Sequence, residues 1–580
     1  MAVVRSFLPA ILFLTLLIVS SSAAQPKTYC NPMNLDYGYC NIPNFTEWGK
    51  HRATADPVIT LFKGKYFLFS TNQYGYWWSD DMNEWTFVPR LFLKPYHKVY
   101  DELCAPAVGV IGDTMLVLGS THGPTFPIWM STNPTKDEWK VAIDSLPVGA
   151  WDPAFFTDDD GRLYIYWGSS NDHPTYGQEL DRKTFRPIGE KKEMLSLHDD
   201  QHGWERFGEH ADNTFLKPFI EGSWMNKVNG TYYLQYAAPG TEFSWYGDGV
   251  YTSKSPLGPF TYQPHNPFSA KPGGFARGAG HGATFQAKDG KWWHVSTIAI
   301  SVKNNFERRL GLWPTAFDKD GILHTETAFG DYPAYRNAAP ESSFTGWMLL
   351  NYKKPVTVSS TLGGYAANNA VDEDIKTYWS AKSGASGEWL MSDLGAMSTV
   401  RALQVNYADQ NAQLMGKQSG IFHQYIISVS DDGKQWTVLV DKSKNRKDVP
   451  HDYIELPSPV RTRFVKIENR HVPTGMFALS GFRVFGKGEG SAPDSVRDLI
   501  ILRGESERRN AWLKWKQSDD ATGYIITSGI APDKQYTSVM VYGQNEYYFT
   551  AMDKDRPYYF TIRAFNENGE GPRTAPALVP

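Results

Sequence analysis

A pattern that repeats five times between residues 56 and 325 constrains the fold of this chain more than any other feature. Each repeat opens with a polar or small residue followed by Pro or Gly, continues as an apolar strand, turns at a Gly and resumes as an apolar or aromatic strand. Turns such as Asn229-Gly230 and Asp289-Gly290 predict two-residue hairpins, because these turns need positive φ at both positions. The opening dipeptides are Asp56-Pro57, Ala105-Pro106, Asp152-Pro153, Glu221-Gly222 and His281-Gly282.

The length of each repeat matches a four-stranded blade with variable loops. No long amphipathic helical stretch lies between the repeats. The sequence therefore predicts an all-β fold whose first domain is a five-bladed β-propeller. The first strand of each blade lies nearest the propeller axis, so the opening residues of the repeats are expected to converge on one end of the central tunnel.

Three of the converging residues, Asp56, Asp152 and Glu221, are acids, and His281 is a fourth ionisable group. Two carboxyl groups beside a sugar linkage hydrolyse it: one protonates the leaving oxygen and the other acts at the anomeric carbon. A third carboxylate near the acid keeps that acid protonated near neutral pH. The alternative is that each Asp before Pro only starts a strand or caps a turn, and it needs the same coincidence three times.

The same segments resemble the signature stretches of family 43 glycoside hydrolases. They read Ala55-Asp56-Pro57, Trp151-Asp152-Pro153 and Ile220-Glu221-Gly222-Ser223. The resemblance implies that Asp56 is the general base, Glu221 the general acid and Asp152 the residue that tunes and orients Glu221. It also implies inversion at the anomeric carbon, for which the base and acid carboxyls should lie roughly 6.5–9.5 Å apart to hold a water molecule.

Two further positions carry over from this resemblance. Gly280-His281-Gly282 is similar to the family's axial histidine, beside which some members bind calcium or another ion, and a buried structural histidine is the alternative. Arg308, in the segment that ends at Pro314, is similar to the arginine that faces substrate hydroxyls, and a surface ion pair is the alternative. The second repeat, Cys104-Ala105-Pro106-Ala107, lacks the acid and the Trp common in the family, which leaves the sugar open.

Aromatic residues make up 14% of the chain, with 20 Trp, which suits packed β-strands and also platforms for sugar rings. Two of five aromatic residues near the repeats are expected to wall a sugar pocket, and core packing is the alternative for each of them. We predict Trp77, Trp224 and Trp245 as the substrate-binding set. Insertions at 198–210 and 240–249 favour a walled pocket and exo action. The five candidates are Trp77, Trp78, Trp224, Trp245 and Tyr246.

Residues 347–487 resemble discoidin domains, the coagulation factor V/VIII C-type β-sandwiches that also serve as carbohydrate-binding modules. Thr377-Tyr378-Trp379-Ser380, Glu388-Trp389-Leu390 and Asp393-Leu394-Gly395 carry this resemblance. It implies a structural calcium ion held by oxygen ligands in the loop from Asp372 to Thr377, with a plain Asx turn as the alternative. Glycan binding and a purely supporting role both stay open.

Residues 494–580 resemble a fibronectin type III β-sandwich. The residues that carry this resemblance include Trp515, Tyr524 and the strand Tyr558 to Ala564. Nothing in this segment indicates catalysis, and we predict that it is a spacer.

The N-terminus predicts export. Arg5, an apolar run from Phe7 to Val19 and small residues up to Ala24 indicate a signal peptide over residues 1–24, followed by the propeller over residues 25–335. We therefore expect a periplasmic, cell-surface or extracellular protein that does not insert into a membrane. Cys30 and Cys40 are the closest pair of the 3 Cys, which allow at most one disulfide.

The net charge of −4, without runs of Lys or Arg, gives no support for nucleic-acid binding. The function predicted from the sequence is that of an inverting, exo-acting, monomeric glycoside hydrolase of oligo- or polysaccharides that needs no cofactor for catalysis. An α-L-arabinofuranosidase is favoured over a β-xylosidase, β-galactofuranosidase or galactosidase. The alternative is an inactive propeller that serves as a carbohydrate-binding or scaffold protein.

Overall fold

The structure is a computed structural model. It describes residues 27–39, 51–71, 73–89, 103–120, 127–146, 148, 151–300, 306–336, 344 and 346–580. The predicted signal peptide and Cys40 lie outside these residues. No helix in the described ranges has the length and apolar character needed to cross a membrane.

Between Val58 and Thr325, the described residues form five four-stranded antiparallel sheets, each with its strands in chain order. The first strand of each sheet contacts the first strand of the next, and the fifth contacts the first, which closes the ring. This is the predicted five-bladed β-propeller. Blade 1 consists of Val58–Phe62, Lys65–Phe69, Gly75–Ser79 and Thr86–Pro89; blade 2 of Cys104–Ile111, Thr114–Ser120, Ile128–Asn133 and Glu138–Ile143; blade 3 of Ala154–Thr157, Leu163–Trp167, Tyr176–Leu180 and Pro187–Glu193; blade 4 of Glu221–Val228, Thr231–Ala238, Gly247–Ser253 and Thr261–Tyr262; blade 5 of Arg277–Gln286, Trp292–Ala299, Arg308–Phe317 and Leu323–Thr325.

The predicted two-residue hairpin is present in blade 4 but not in blade 5, where Asp289 lacks positive φ and a five-residue loop joins Gln286 to Trp292. In blade 4, Asn229 and Gly230 have φ of 49° and 72°, so both turn residues are left-handed. The strands that follow these turns are apolar because they pack between neighbouring blades. Their centres are buried in every blade, as shown by Phe67, Leu116, Ile165, Leu234 and Val295.

The chain segments on either side of the propeller pack against it. Thr28–Tyr29 pairs with Ala334–Tyr335, and the Met33 N–H donates to Leu310 O in blade 5 at 2.9 Å. Cys30 is a buried free thiol. After the propeller, the Phe344 ring stacks on Phe329 with centroids 4.5 Å apart. The connecting segment is therefore held against the propeller by this aromatic contact.

A middle β-sandwich follows the propeller, built around two long strands that pair with each other and with further strands on both sides. Its strands are Met348–Leu349, Val356–Val358, Trp379–Ser380, Trp389–Tyr407, Gln424–Ser430, Thr437–Asp441, His451–His471 and Ala478–Lys487. The helices among the described residues are single 3-10 turns at Pro134–Lys136, Gly203–Glu205 and Ala367–Ala370.

The C-terminal sandwich has two antiparallel sheets around a core that contains Trp515 and Tyr524. One sheet consists of Arg497–Arg503, Ala511–Lys516 and Glu546–Phe549; the other of Gly523–Gly529, Thr537–Tyr542, Tyr558–Asn566, Gly569–Glu570 and Ala577–Val579. Its likeness to a fibronectin type III domain stays a prediction.

The middle sandwich docks on the propeller through buried ion pairs. The guanidinium of Arg52, which is fully buried, lies 3.1 Å from the Asp409 carboxylate and 2.6 Å from that of Asp448. Arg483 pairs with Glu373 at 2.7 Å and donates to Asp331 O in the propeller at 2.6 Å. Each of these buried charges therefore has a partner of opposite charge.

The C-terminal sandwich docks on blade 4 and on the insertion that precedes it. The Gly203 N–H donates to Met552 O at 2.9 Å, and Arg206 donates to Thr550 O at 2.6 Å. Trp204 and Trp245 share one apolar core with residues of the sandwich. The prediction that this domain is a spacer is wrong, because its core continues into the propeller.

Candidate active site

The five blades enter the propeller axis through one backbone conformation. A residue with positive φ lies at the start of each first strand, a region that few residues other than Gly adopt. The residues are Asp56 (φ 53°), Ala105 (φ 40°), Asp152 (φ 49°), Gly222 (φ 66°) and His281 (φ 45°). The opening residues of the repeats therefore share a turn as well as a position along the sequence.

Glu221 departs from this alignment by one residue. The sequence analysis placed Glu221 level with Asp56 and Asp152, but Gly222 has the left-handed backbone that they share. A β-bulge between Glu221 and Trp224 offsets the first strand of blade 4 by one residue. A similar bulge follows Cys104 in blade 2, so Glu221 is level with Cys104 and not with Ala105. The Glu221 side chain consequently leaves the chain one residue before the turn.

Asp56 accepts two hydrogen bonds that suit a carboxylate. The Thr71 hydroxyl donates to Asp56 Oδ2 at 2.6 Å, and His281 Nδ1 lies 3.1 Å from Asp56 Oδ1. The backbone N–H of Asp56 donates to the Thr297 hydroxyl at 3.0 Å. These contacts fix the position of the Asp56 side chain at the end of the tunnel.

Asp152 and Glu221 also come together with His281. One carboxylate oxygen of each acid and one ring nitrogen of His281 all lie within 4.8 Å of one another. Burial raises the pKa of Asp152 to about 8, and the charges of Glu221 and Asp56 add to the rise although His281 opposes it. The carboxyl cluster therefore holds a proton near neutral pH. The sequence predicts this proton on Glu221, and Asp152 is a second group of the cluster that can hold it.

His281 is fixed from below by a buried hydrogen-bond network. The backbone N–H of His281 donates to Asp248 Oδ1 at 2.7 Å, and the backbone N–H of Gly282 donates to Asp248 Oδ2 at 3.0 Å. His294 Nε2 also lies 2.8 Å from Asp248 Oδ2. Burial lowers the pKa of His281, but the carboxylates of Asp56 and Asp152 outweigh it, and the pKa is raised. His281 thus lies between the two acids, with Nδ1 3.1 Å from Asp56 and 3.9 Å from Asp152, and an ion beside it stays a prediction.

Tyr246 is a site residue that the sequence identified only as an aromatic candidate for sugar stacking. Its hydroxyl donates to Glu221 Oε1 at 2.5 Å, and the Ser169 hydroxyl donates to Glu221 Oε2 at 3.2 Å. Ser169 follows the second strand of blade 3, and Tyr246 lies between the second and third strands of blade 4. No local motif marks either residue, because their contact with Glu221 depends on how blades 3 and 4 pack.

Arg308 lies at the start of the third strand of blade 5, where the sequence placed it. It is 6% exposed, and one of its terminal nitrogens donates to the Thr241 hydroxyl at 3.0 Å. Its Nε has no hydrogen-bond partner among the described residues. A buried N–H without a partner is costly, but this Nε is itself buried, so contact between Arg308 and a substrate hydroxyl stays a prediction. The surface ion pair held as the alternative is excluded, because Arg308 is buried.

Two of the three predicted substrate-binding Trp residues belong to packed cores. Trp77 is fully buried, and its indole N–H donates to Asp36 at 2.6 Å. Trp245 is 2% exposed and packs edge-on against Phe549 of the C-terminal sandwich, with centroids 5.5 Å apart. The prediction that Trp77 and Trp245 contact sugar is therefore wrong, because neither ring has a free face.

Trp224 and Trp151 remain as aromatic candidates. Trp224 is half-buried and spends its indole N–H on Thr284 O at 2.9 Å, so only its ring is available to a ligand. Trp151 is 38% exposed and directly precedes Asp152. Trp151 was not among the five aromatic candidates, although its position beside Asp152 was a signal visible in the sequence.

The loop proposed to hold calcium is a hydrogen-bonded turn. The Thr377 hydroxyl donates to Asp372 Oδ2 at 2.6 Å, and the Asp374 N–H donates to Asp372 Oδ1 at 3.0 Å. Asp374 in turn accepts the Lys376 N–H at 3.0 Å. Both oxygens of Asp372 are therefore used by the chain, as in the Asx turn held as the alternative. The calcium ion stays a prediction.

Carboxyl groups brought together around one axis are the equipment of enzymes that hydrolyse O-glycosyl compounds. The comparisons with known proteins lead to the same class. The family profile described as glycosyl hydrolases family 43 matches residues 51–323, and that of the F5/8 type C domain matches residues 355–479. The second match confirms the predicted discoidin-type domain.

A xylosidase/arabinosidase of Bacteroides ovatus is 30% identical over 268 residues, which cover 36% of this chain and 76% of that enzyme. This chain belongs to glycosyl hydrolase family 43. An arabinoxylan arabinofuranohydrolase of Bacillus subtilis is 36% identical over 142 residues, which are 22% of this chain and 24% of that enzyme. The solved structure of a xylan β-1,4-xylosidase from Bacillus halodurans is 15% identical, with a TM-score of 0.40, and covers 95% of this chain and 96% of that one.

Proposed function

We propose that this enzyme is an inverting, exo-acting α-L-arabinofuranosidase that removes terminal sugars from polysaccharide side chains. The observation that carries the proposal is the cluster in which Asp56, Asp152 and Glu221 surround His281. The similar enzymes include an arabinoxylan arabinofuranohydrolase, a xylosidase/arabinosidase and a β-xylosidase, so their names support an arabinofuranoside as the first sugar to test and a xyloside as the second.

In the proposed reaction Asp56 acts as the general base. Its carboxylate takes a proton from a water molecule whose oxygen then bonds to the anomeric carbon of the sugar. The hydrogen bonds from Thr71 and His281 hold the Asp56 carboxylate in place for this transfer. The bond from the anomeric carbon to the leaving oxygen breaks as the new bond forms, so the configuration inverts.

Glu221 acts as the general acid in the same step and gives its proton to the leaving oxygen. Asp152, whose pKa is raised to about 8, keeps a proton in the cluster and orients Glu221 through their shared neighbour Ser169. Arg308 binds a sugar hydroxyl through its guanidinium group, whose terminal nitrogen also donates to Thr241. No cofactor enters this reaction.

The test is a panel of nitrophenyl glycosides that includes the α-L-arabinofuranoside, the β-D-xyloside and the β-D-galactofuranoside. We expect the arabinofuranoside to be turned over fastest and Asp56→Asn or Glu221→Gln to lower kcat/KM by roughly 10²- to 10⁴-fold. Asp160→Asn, an exposed acid in the blade 3 turn, is the matched control and should retain the wild-type rate. Proton NMR of the first-formed sugar should show the inverted anomer.

Faster turnover of a different glycoside would change the sugar assigned to the enzyme, which would still be a glycoside hydrolase. If the wild type turned over none of the glycosides and yet bound glycans, the scaffold alternative would replace the enzyme. Release of oligosaccharides instead of single sugars from arabinoxylan would contradict exo action. Export also belongs to the proposal, and it rests on the N-terminal segment up to Ala24.

A further inference from the structure

The loop between the second and third strands of blade 4 joins the active site to the C-terminal sandwich. Trp245 and Tyr246 are consecutive in this loop but face different partners. The Tyr246 hydroxyl donates to Glu221 Oε1 at 2.5 Å, whereas the Trp245 ring packs against Phe549 with centroids 5.5 Å apart and planes at 86°. Two consecutive residues therefore contact Glu221 and the C-terminal sandwich, respectively.

The C-terminal sandwich holds Trp245 by two contacts from one strand. Phe549 supplies the edge-on ring contact, and Phe549 itself is 1% exposed. The Trp245 indole N–H lies beside the Tyr547 hydroxyl, where it opposes the rise that burial gives to the pKa of Tyr547. Tyr547 and Phe549 lie on the same face of the strand, because residues two apart in a strand point the same way. The ring contact with Phe549 and the neighbouring Tyr547 hydroxyl therefore hold the indole from this strand.

Tyr246 helps to fix the orientation of the Glu221 carboxyl group. Its hydroxyl donates to Oε1 at 2.5 Å and the Ser169 hydroxyl donates to Oε2 at 3.2 Å, so each oxygen is held by one donor. The Tyr246 ring rests against the backbone of Gly280, where an added Cβ would lie 2.9 Å from the ring. Because the ring has this wall on one side, a shift of Trp245 is transmitted to the Tyr246 hydroxyl.

We propose that Tyr547 and Phe549 of the C-terminal sandwich are positioning residues for the general acid. They hold Trp245, and through Tyr246 they fix the orientation in which Glu221 presents its proton to the leaving oxygen. This inference rests on Glu221 being the general acid of the proposed function. The loop is also anchored through Ser244, whose N–H donates to Glu209 at 3.0 Å, so losing one positioning contact misplaces the loop without unfolding it.

The test compares aryl glycosides of one sugar that differ in their need for protonation of the leaving group. A dinitrophenol leaves without help, whereas an unsubstituted phenol needs the proton. Tyr547→Phe, which removes only the hydroxyl, should lower kcat/KM for the phenyl glycoside by about tenfold and leave the dinitrophenyl glycoside within about twofold. Phe549→Leu should act in the same direction.

Tyr548→Phe is the matched control. It removes a hydroxyl from the neighbouring residue of the same strand, where that hydroxyl accepts only a hydrogen bond from Asn510 of the same domain. Its rates on both glycosides should equal those of the wild type. Tyr547→Phe keeps the ring, so it tests the proposal even if Phe549→Leu does not fold.

Glu221→Gln in the same assay separates the two levels of the inference. In one outcome, Glu221→Gln lowers kcat/KM for the phenyl glycoside much more than for the dinitrophenyl glycoside. If Tyr547→Phe then has wild-type rates, or loses the same factor on both substrates, the positioning role is wrong and the acid assignment stands. If Glu221→Gln shows no dependence on the leaving group, the acid assignment is wrong and the positioning role is wrong with it.

Discussion

Blades 2 and 3 reach the propeller axis with the same backbone, but only blade 3 brings an acid. Ala105 and Asp152 both have positive φ, and each donates its N–H to a hydroxyl of the preceding blade at 2.7 Å, Thr71 for Ala105 and Ser120 for Asp152. The strained turn thus belongs to the contact between blades and does not itself mark catalysis. The side chain at the turn is what distinguishes a catalytic blade from a structural one.

Making blade 3 like blade 2 gives the largest expected effect. Asp152→Ala should fold, because blade 2 carries Ala in this conformation, but kcat/KM should fall by roughly 10²-fold or more as the proton of the cluster is lost. Steady-state kinetics and a thermal melt check this. Wild-type activity would show that catalysis does not need the Asp152 side chain. A variant that does not fold would show that the turn itself needs this side chain.

The second prediction concerns pH. Because the pKa of Asp152 is raised to about 8, its bound proton stabilises the fold fully below about pH 4, its ordinary value, and that contribution is lost as the pH rises through about 8. We expect kcat/KM to decline on the alkaline side near pH 8. Asp152→Asn, which has no proton to lose there, should move or remove this decline, and an unchanged pH profile would exclude Asp152 as its source.

The third prediction tests the blade 4 turn, where Gly222 replaces the acid. A Cβ on Gly222 would lie 2.8 Å from His281 Cγ, so Gly222→Ala should cost about 1–3 kcal/mol of unfolding free energy and lower kcat. Gly230→Ala is the control, since Gly230 also has positive φ but has open space around its Cβ position. Urea unfolding should show the smaller loss for Gly230→Ala, and equal losses would exclude the contact with His281.

The smallest effect is expected in blade 2. Ala105→Gly relieves a left-handed conformation that costs a non-Gly residue roughly 1–2 kcal/mol, although Gly returns part of this through chain entropy. The unfolding free energy should therefore rise by less than about 1 kcal/mol, with no change in kcat/KM. A loss of stability would show that the turn is not strained at Ala105.

The ring of blades and the convergence of Asp56, Asp152 and His281 could be predicted because their signals are local. A residue before Pro or Gly and a Gly in the next turn mark each blade wherever it lies in the chain. The register of Glu221 could not be predicted in this way, because the bulge that shifts it is visible only in the pairing of the strand with its neighbour.

The roles of the aromatic residues depended on partners far along the chain. Trp245 is buried by Phe549, which lies in another domain, and Trp77 donates to Asp36, which precedes the propeller. A Trp in a loop looks available for sugar until such a partner is known. The spacer prediction failed for the same reason, since the contact of Gly203 with Met552 leaves no mark in either local sequence.

The fully buried Arg52 bears on any attempt to exchange modules. A chain shortened to the propeller would remove Asp409 and Asp448 and leave the guanidinium without counter-charges. Removing one side of a buried pair costs about 3–5 kcal/mol, a large share of the stability of a typical domain. Grafting another binding module onto this catalytic domain would therefore have to bring two acids to the same surface, or replace Arg52 first.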